Sequence, residues 1–251
     1  MPLDIDRIRA ARPQNLIHYF PSTSSTMIEA ARLVAAGAGP GTVVLAEEQT
    51  AGMGRLGRSW HSPPECGIYC SVILRLSLSP TNLPIAMLVL ALATAEAIQN
   101  ATHLACDLRW PNDVLVHEKK VAGILAQFVD ASIVAGIGVN VNQTWLPENL
   151  RTPASSLRME SNGRIYSREE IIIFLLSALD SFCDMLTNEG SESILRAFLA
   201  ASSYALNRRV MIEESGRKGI TAGLDQNGFL LVRLDDGRIE RVATGGIRPD
   251  H

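Results

Sequence analysis

The loop Gly52 to Ser59, inside QTAGMGRLGRSW, spaces three glycines and two arginines, Arg55 and Arg58, so that two phosphate-binding patterns overlap. It reads as G-x-G-x-x-G, which cradles a dinucleotide, and as G-x-x-x-x-G-R-S, a P-loop with arginine in place of lysine. Both chemistries need a helix directly after the glycines, because its N-terminal amides and dipole hold the phosphate. Here SWHSPPECG follows, and the residue before each of Pro63 and Pro64 is driven away from helical angles. The dinucleotide pattern also wants an acidic residue about 20 positions on, and none lies between Glu65 and Glu96. Neither pattern survives its surroundings. What is left is a loop between two strands whose guanidinium forks suit phosphate or carboxylate oxygens. Its glycines would let it close over an anionic ligand at a cost in conformational entropy. A solvated loop with incidental arginines is the competing reading.

The elements around this loop are those of an ordinary globular chain. Of 251 residues, 47% are hydrophobic and 20% charged, enough for one sizeable domain with an appendage or for two modest domains. A net charge of −3 disfavours duplex DNA binding as the main task. Cys66, Cys70, Cys106 and Cys183 lack both the paired spacing of a zinc site and the density of a secreted disulfide scaffold, and read as scattered reduced thiols. The first 20 residues lack the apolar run of a signal peptide. The segment IAMLVLALATAEAI (85–98) is too short to span a bilayer and carries Glu96, so it reads as a buried helix beginning at Pro84. A soluble, cytoplasmic protein is expected.

Apolar spacing predicts a helix over 25–37, stopping at Gly37, and a strand over 41–48 ahead of the loop. Further strands are expected at 67–76 and 132–142, the glycines of GIGVNVN suggesting close backbone approach. The stretch DLRWPNDVLVHEKKVAGILAQFV reads as two strands folded about a polar turn at His117-Glu118-Lys119. A helical block is expected over 168–203, with Ser167 and Glu170 spaced as a capping box. From 206 the chain becomes short alternating runs separated by Asn227-Gly228 and Asp236-Gly237, both hairpin signals.

The loop has company. EEQTAGMGRLGRSWHSP resembles the G-R-G-R-x-G-R-x-W motif of biotin–protein ligases. SSTMIEA stands where that family has S-T-N, RWPNDVL matches [KR]-W-P-N-D, KKVAGILAQ matches K-[VL]-x-G-I-L, and GIGVNVN matches its glycine/asparagine strand. Order and spacing agree over nearly the whole chain. The resemblance implies an α+β fold: a class II aminoacyl-tRNA-synthetase-like mixed sheet flanked by helices (1–205) and a small C-terminal SH3-like β-barrel (206–251). It implies a biotin–[acetyl-CoA-carboxylase] ligase, using ATP and Mg²⁺ to form biotinyl-5′-AMP and pyrophosphate. A lysine of a biotin carboxyl carrier domain then takes the biotinyl group. No enzyme nucleophile is required.

Residue roles follow from the resemblance. Lys120 would contact the biotin carboxylate and the α-phosphate region, although a lysine pair in a turn is by itself usually only solvated. Arg55 and Arg58 would hold phosphate and carboxylate oxygens, and Gly54 would admit the ligand to the backbone. Trp60 would flank the adenine, the competing reading being a core tryptophan. Asn112 would meet the nucleotide phosphates or their metal, Arg109 would add positive charge, and Asn140 would face the nucleotide. Asp113 would orient Lys120 or help deprotonate the incoming amine. Ser25 and Thr26 would bond the ureido head of biotin, with Gln49 nearby, although Thr26-x-x-Glu29 is itself a capping-box pattern. Apolar residues of 121–125 would wall the valeryl chain. Metal ligands are left unassigned.

Two positions depart from the family pattern. Met53 replaces the first arginine of G-R-G-R, removing a charge-assisted contact, and Met27 replaces the asparagine of S-T-N, removing an amide donor; both still fall in the biotin site. Only some 15 residues precede the first motif strand, too few for a winged-helix DNA-binding domain, so no repressor function and no DNA partner are expected; no membrane partner is expected either, the apolar segment 85–98 being too short to span a bilayer. A homodimer is left open. The alternatives are a lipoate–protein ligase, whose R-R-x-x-G-G-G segment is absent, since Gly245-Gly246 lies in the wrong domain, and a non-catalytic sensor of biotin or an adenylate.

Overall fold

The computed structural model describes residues 1–147 and 152–250. Residues 148–151 of the expected catalytic unit and His251 of the expected C-terminal unit lie outside them. Strands β1 (Ile17–Phe20), β2 (Val43–Ala46), β3 (Gly67–Leu74), β4 (Asp107–Arg109), β5 (Asp113–Val116), β6 (Lys119–Val129) and β7 (Ser132–Asn140) make one sheet. Their order is β1-β2-β3-β7-β6-β5-β4. β1 and β2 are parallel and the remaining neighbours antiparallel, so the sheet is mixed, as the resemblance implied.

Helices cover it: α1 (Ile5–Ala11), α2 (Thr26–Ala35), α3 (Leu83–Thr102), α4 (Arg168–Glu189) and α5 (Ser191–Ala201). β3 is buried along its whole length, as a central strand covered on both faces must be. Its Ile68, Cys70, Val72 and Leu74 enter the main core with α3 and α4. Ile73 points the other way, into a smaller cluster with Met27, Ala30, Val44 and Val134. The same period of two in β7 sends Ile133, Ala135, Ile137 and Val139 into the main core and leaves Gly136 and Gly138 on the opposite face. That face carries the site. α3 is long and apolar enough to cross a membrane, but in this fold it is the core helix, buried without a break from Ile85 to Ala95.

Several elements differ from expectation. The stretch 107–129 forms three strands, because Trp110-Pro111-Asn112 leaves the sheet; Pro111 has no N–H for a ladder, and the Trp110–Pro111 peptide is cis. The polar turn is His117-Glu118, both left-handed at φ 47° and 64°, the pair of positive angles a two-residue hairpin needs. Lys119 is already in β6. Glu160 steadies this turn, accepting from His117 Nδ1 and Lys119 Nζ at 2.9 Å each. The block 168–203 is two helices, broken at Gly190, whose φ of 82° suits glycine. At α4 half of the capping box forms, Ser167 Oγ accepting from the Glu170 amide at 3.2 Å. Helix α1 was not expected, whereas β1 falls where the first motif strand was expected, after some 15 residues.

β8 (Leu206–Ile212), β9 (Lys218–Leu224), β10 (Leu230–Leu234), β11 (Ile239–Val242) and β12 (Ile247–Pro249) form an antiparallel sheet in the order β11-β10-β9-β8-β12. Both hairpin turns are where the glycines place them, Gly228 at φ 83° and Gly237 at 85°. The first turn docks against the seven-stranded unit: Trp110 Nε1, between β4 and β5, donates to the Gly228 carbonyl at 3.0 Å.

Candidate active site

The site face begins with a bare floor. Gly123 of β6 and Gly138 of β7 are cross-strand partners, and Trp60 lies on them. A Cβ on Gly138 would fall 2.5 Å from Trp60 Nε1, and one on Gly123 2.8 Å from Trp60 Cζ3. Met27 does the same over Gly136, its Sδ 2.6 Å from where a Cβ would stand. The glycines of this strand are therefore a matter of room.

Lys120 reaches this face through a bulge. Val114 pairs with Ala122 but Leu115 pairs with Lys120, so Val121 is an extra residue in β6. Strict alternation would put Lys120 beside Ala122 on the core side; the bulge re-aims it. Its Nζ lies 2.5 Å from Asp113 Oδ1 and 5.4 Å from the Trp60 ring centroid. Its backbone is clamped by a passing segment, the Lys120 amide donating to the Pro153 carbonyl and the Ser155 amide to the Lys120 carbonyl, both at 2.9 Å. Asn140 lines the cavity but gives its amide to the same segment, donating to the Ser155 carbonyl at 3.0 Å.

Asp113 is shared. Arg109 Nη2 meets its other oxygen at 2.7 Å. Burial would raise this carboxyl, but Lys120 and then Arg109 outweigh burial and hold it below the ordinary carboxylate range. Arg109 also faces the Tyr204 ring at 5.9 Å, a contact with no mark in the sequence.

The glycine loop is a small hairpin. Met53 and Ser59 form an antiparallel bridge, the Gly54 amide donates to the Arg58 carbonyl at 2.7 Å, and the Trp60 amide to Gly52 at 2.8 Å. No regular α-helix follows the glycines, as the prolines required; Arg55–Gly57 form one 3-10 turn. Arg55 turns inward, donating to Asn112 Oδ1 at 3.2 Å and to the Gly245 carbonyl at 3.0 Å. Both acceptors are neutral, and burial pushes the guanidinium below its ordinary range despite the attraction of Asp113. Arg58 lies 3.6 Å from Glu213. Met53, in the place of the family's arginine, is 40% exposed.

At the other end of the cavity, Ser25 is the N-cap of α2 but makes no capping bond with its side chain. Gln49 Oε1 takes over, accepting from the Thr26 amide at 2.8 Å and from its hydroxyl at 3.0 Å. Thr26 Oγ1 also accepts from Ser71 at 2.8 Å. The capping box suggested by Thr26 and Glu29 does not form: Thr26 is already inside the helix, and Glu29 accepts from Thr23 Oγ1 and Arg32. Ser25 Oγ is left buried without a hydrogen-bond partner, a state that costs free energy unless something else fills it.

Every site residue named from the sequence lines one cavity, which encloses about 1350 Å³ with its open mouth included. Glu213, Gly245 and Gly246 of the C-terminal sheet complete its wall. Ser71 and Ser62 support Thr26 and Gln49 from behind. Cys70 also lines it, but burial pushes this thiol up to about 12, which removes it as a nucleophile near neutral pH. The cavity thus offers several cationic groups for an anion, a glycine floor for a flat or extended ligand, and an unsatisfied hydroxyl.

Residues 19–143 match the model of the biotin/lipoate A/B protein ligase family. The bifunctional ligase/repressor BirA of Bacillus subtilis is 34% identical over 245 residues, covering 93% of this chain and 74% of that protein. The biotin–[acetyl-CoA-carboxylase] ligase of Paracoccus denitrificans is 33% identical, covering 86% and 93%. Among solved structures, the biotin protein ligase of Aquifex aeolicus in complex with biotin and ATP superposes with a TM-score of 0.79 at 30% identity, covering 93% and 97%. The chain belongs to the biotin/lipoate A/B protein ligase family.

Proposed function

We propose that this chain is an ATP-dependent biotin–protein ligase that forms biotinyl-5′-AMP and transfers the biotinyl group to a lysine of a biotin carboxyl carrier domain of acetyl-CoA carboxylase or a related carboxylase. The observation that carries the reading is Arg55, a partly buried cation hydrogen-bonded to neutral acceptors and facing the same cavity as Lys120. Buried charges are ordinarily paired; a ligand phosphate would supply the missing partner.

In the first step a biotin carboxylate oxygen attacks the α-phosphorus and pyrophosphate leaves. In the second a lysine amine attacks the acyl carbon and AMP leaves. The protein contributes positioning and charge stabilisation. Lys120 would bridge the carboxylate and the α-phosphate, Arg55 and Arg58 would hold phosphate oxygens, and Trp60 would flank the adenine. Asn112, which orients Arg55, would meet the phosphates, with Arg109 and Asn140 on the nucleotide side. Asp113, held acidic by two cations, is a poor base and fits the orienting role. Mg²⁺ would enter with the triphosphate and neutralise its charge: among the described residues no group of three His, Cys, Asp or Glu converges, and Mg²⁺ is often held by few protein carboxylates plus substrate phosphates.

Ser25 favours biotin over lipoate. A buried, unpartnered hydroxyl suits a ureido group, which can hydrogen-bond, whereas a dithiolane ring cannot satisfy it well. Met27 and Met53 would pack on the biotin body, beside Gln49, Thr26 and Gly54. The test is pyrophosphate exchange into ATP with biotin, with lipoate and with neither. Exchange only with biotin is expected; exchange without an acid, or with lipoate alone, overturns the assignment.

A further inference from the structure

We propose that the C-terminal sheet is the docking post of the glycine loop, that Glu213 holds the loop through Arg58, and that this contact sets how long the acyl-adenylate stays enclosed. The inference rests on the ligase reading for its ligand, but the docking itself does not.

Within the loop, the hairpin bonds tie Met53 to Ser59 and Gly54 to Arg58, so they shape the loop without fixing where it lies. Its tip is loosely held: Leu56 is 65% exposed and left-handed at φ 57°, unusual for a side chain of that size. Two contacts carry the loop across to the C-terminal sheet, Arg55 to the Gly245 carbonyl at 3.0 Å and Arg58 to Glu213 at 3.6 Å. The two ends of the second contact differ in rigidity. Glu213, just past β8, has its amide bonded to the Gly246 carbonyl at 2.9 Å and its carboxylate to Arg248 Nε at 2.7 Å. Its side chain is 9% exposed against 44% for Arg58. Glu213 is therefore the fixed post and Arg58 the movable end. At 3.6 Å the pair is electrostatic rather than a tight hydrogen bond, and a half-exposed pair of this kind is weak and screened by salt. Weakness suits a closure that must open to admit a carrier lysine. Glu213 acts on the reaction through Arg58, as a positioning residue.

The experiment follows release of biotinyl-AMP from the enzyme in wild type, E213Q, R58Q and the double variant, at low and high salt. E213Q is expected to speed release about two- to fivefold at low salt, the range an exposed ion pair supports, with the difference vanishing at high salt. In the R58Q background E213Q should have no further effect. Release from E213Q at the wild-type rate overturns the proposal. So does an equal acceleration with and without Arg58, which would mean that the carboxylate serves only the integrity of the sheet. A ligand-free arm separates the two readings: tryptic cleavage at Arg55 and Arg58 should be faster in E213Q than in R248Q, which loses the other partner of the same carboxylate. A wild-type chain that makes no biotinyl-AMP sinks the ligase reading, while the cleavage rates still decide the docking; equal cleavage rates overturn it.

Discussion

Asp113 and Lys120 face each other across adjacent strands, 2.5 Å separating carboxylate oxygen from ammonium nitrogen, and Arg109 closes on the second oxygen at 2.7 Å. The triad leaves one net positive charge directed at the cavity. Replacing Lys120 with alanine should leave Asp113 paired with Arg109 and the fold intact, while adenylate formation falls about 10²- to 10³-fold, the scale of losing one preorganised electrostatic contact. Single-turnover formation of biotinyl-AMP measures this; a loss confined to KM would assign Lys120 to binding alone.

Asp113→Asn strands two cations in a buried place and should cost about 3–5 kcal/mol of stability. The folded-state carboxyl is depressed, so its contribution is complete above the unfolded value of about 3.9 and is lost as pH falls through the lower folded value. Urea unfolding at a series of pH values should show a constant gap between wild type and variant from neutral pH down to about pH 5. The gap should close only in stronger acid. A gap that closes near pH 6 would mean that some other group is responsible.

Arg55→Met removes a desolvated cation that has neutral partners only among its hydrogen bonds. Its melting temperature is expected to hold or rise, since an apolar side chain of similar length avoids the desolvation cost. Affinity for biotinyl-AMP should fall about 10- to 100-fold, the worth of a hydrogen bond to a charged group. Calorimetric titration and a melting curve read both; a destabilised variant that binds normally would refute the assignment.

Gly138→Ala places a methyl 2.5 Å from Trp60 Nε1. Overpacking of this kind costs about 1–3 kcal/mol, and Trp60 must leave its floor. Binding of the adenylate should weaken more than the melting temperature falls. Unchanged affinity would show that Trp60 has room to spare.

Much of this was legible in the chain. Continuous apolar, β-branched runs marked the central strands, and the ordered motifs brought the site residues to one cavity because each motif carries its own local geometry. What was not legible depends on distance or on a break in period. The bond from Arg55 to Gly245 joins residues 190 positions apart, and nothing in either segment announces the other. Gln49 caps α2 from 23 positions away, where the sequence offered a local hydroxyl instead. α1 is too short for periodicity to reveal it, although Asp4, whose carboxylate accepts from the Arg7 amide, was a usable start signal. The break at Trp110-Pro111-Asn112 was written in the proline and was outweighed by the apolar residues on either side.

The supernumerary Val121 has a consequence of parity. Every residue of β6 before it is turned over relative to a plain ladder, so the ammonium of Lys120 owes its orientation to an odd count and not to its neighbours' chemistry. A chain shortened by that one valine would keep every side chain assigned to the site and yet aim the lysine toward the helices; exchange activity should vanish, whereas Val121→Ala, which preserves the count, should retain it.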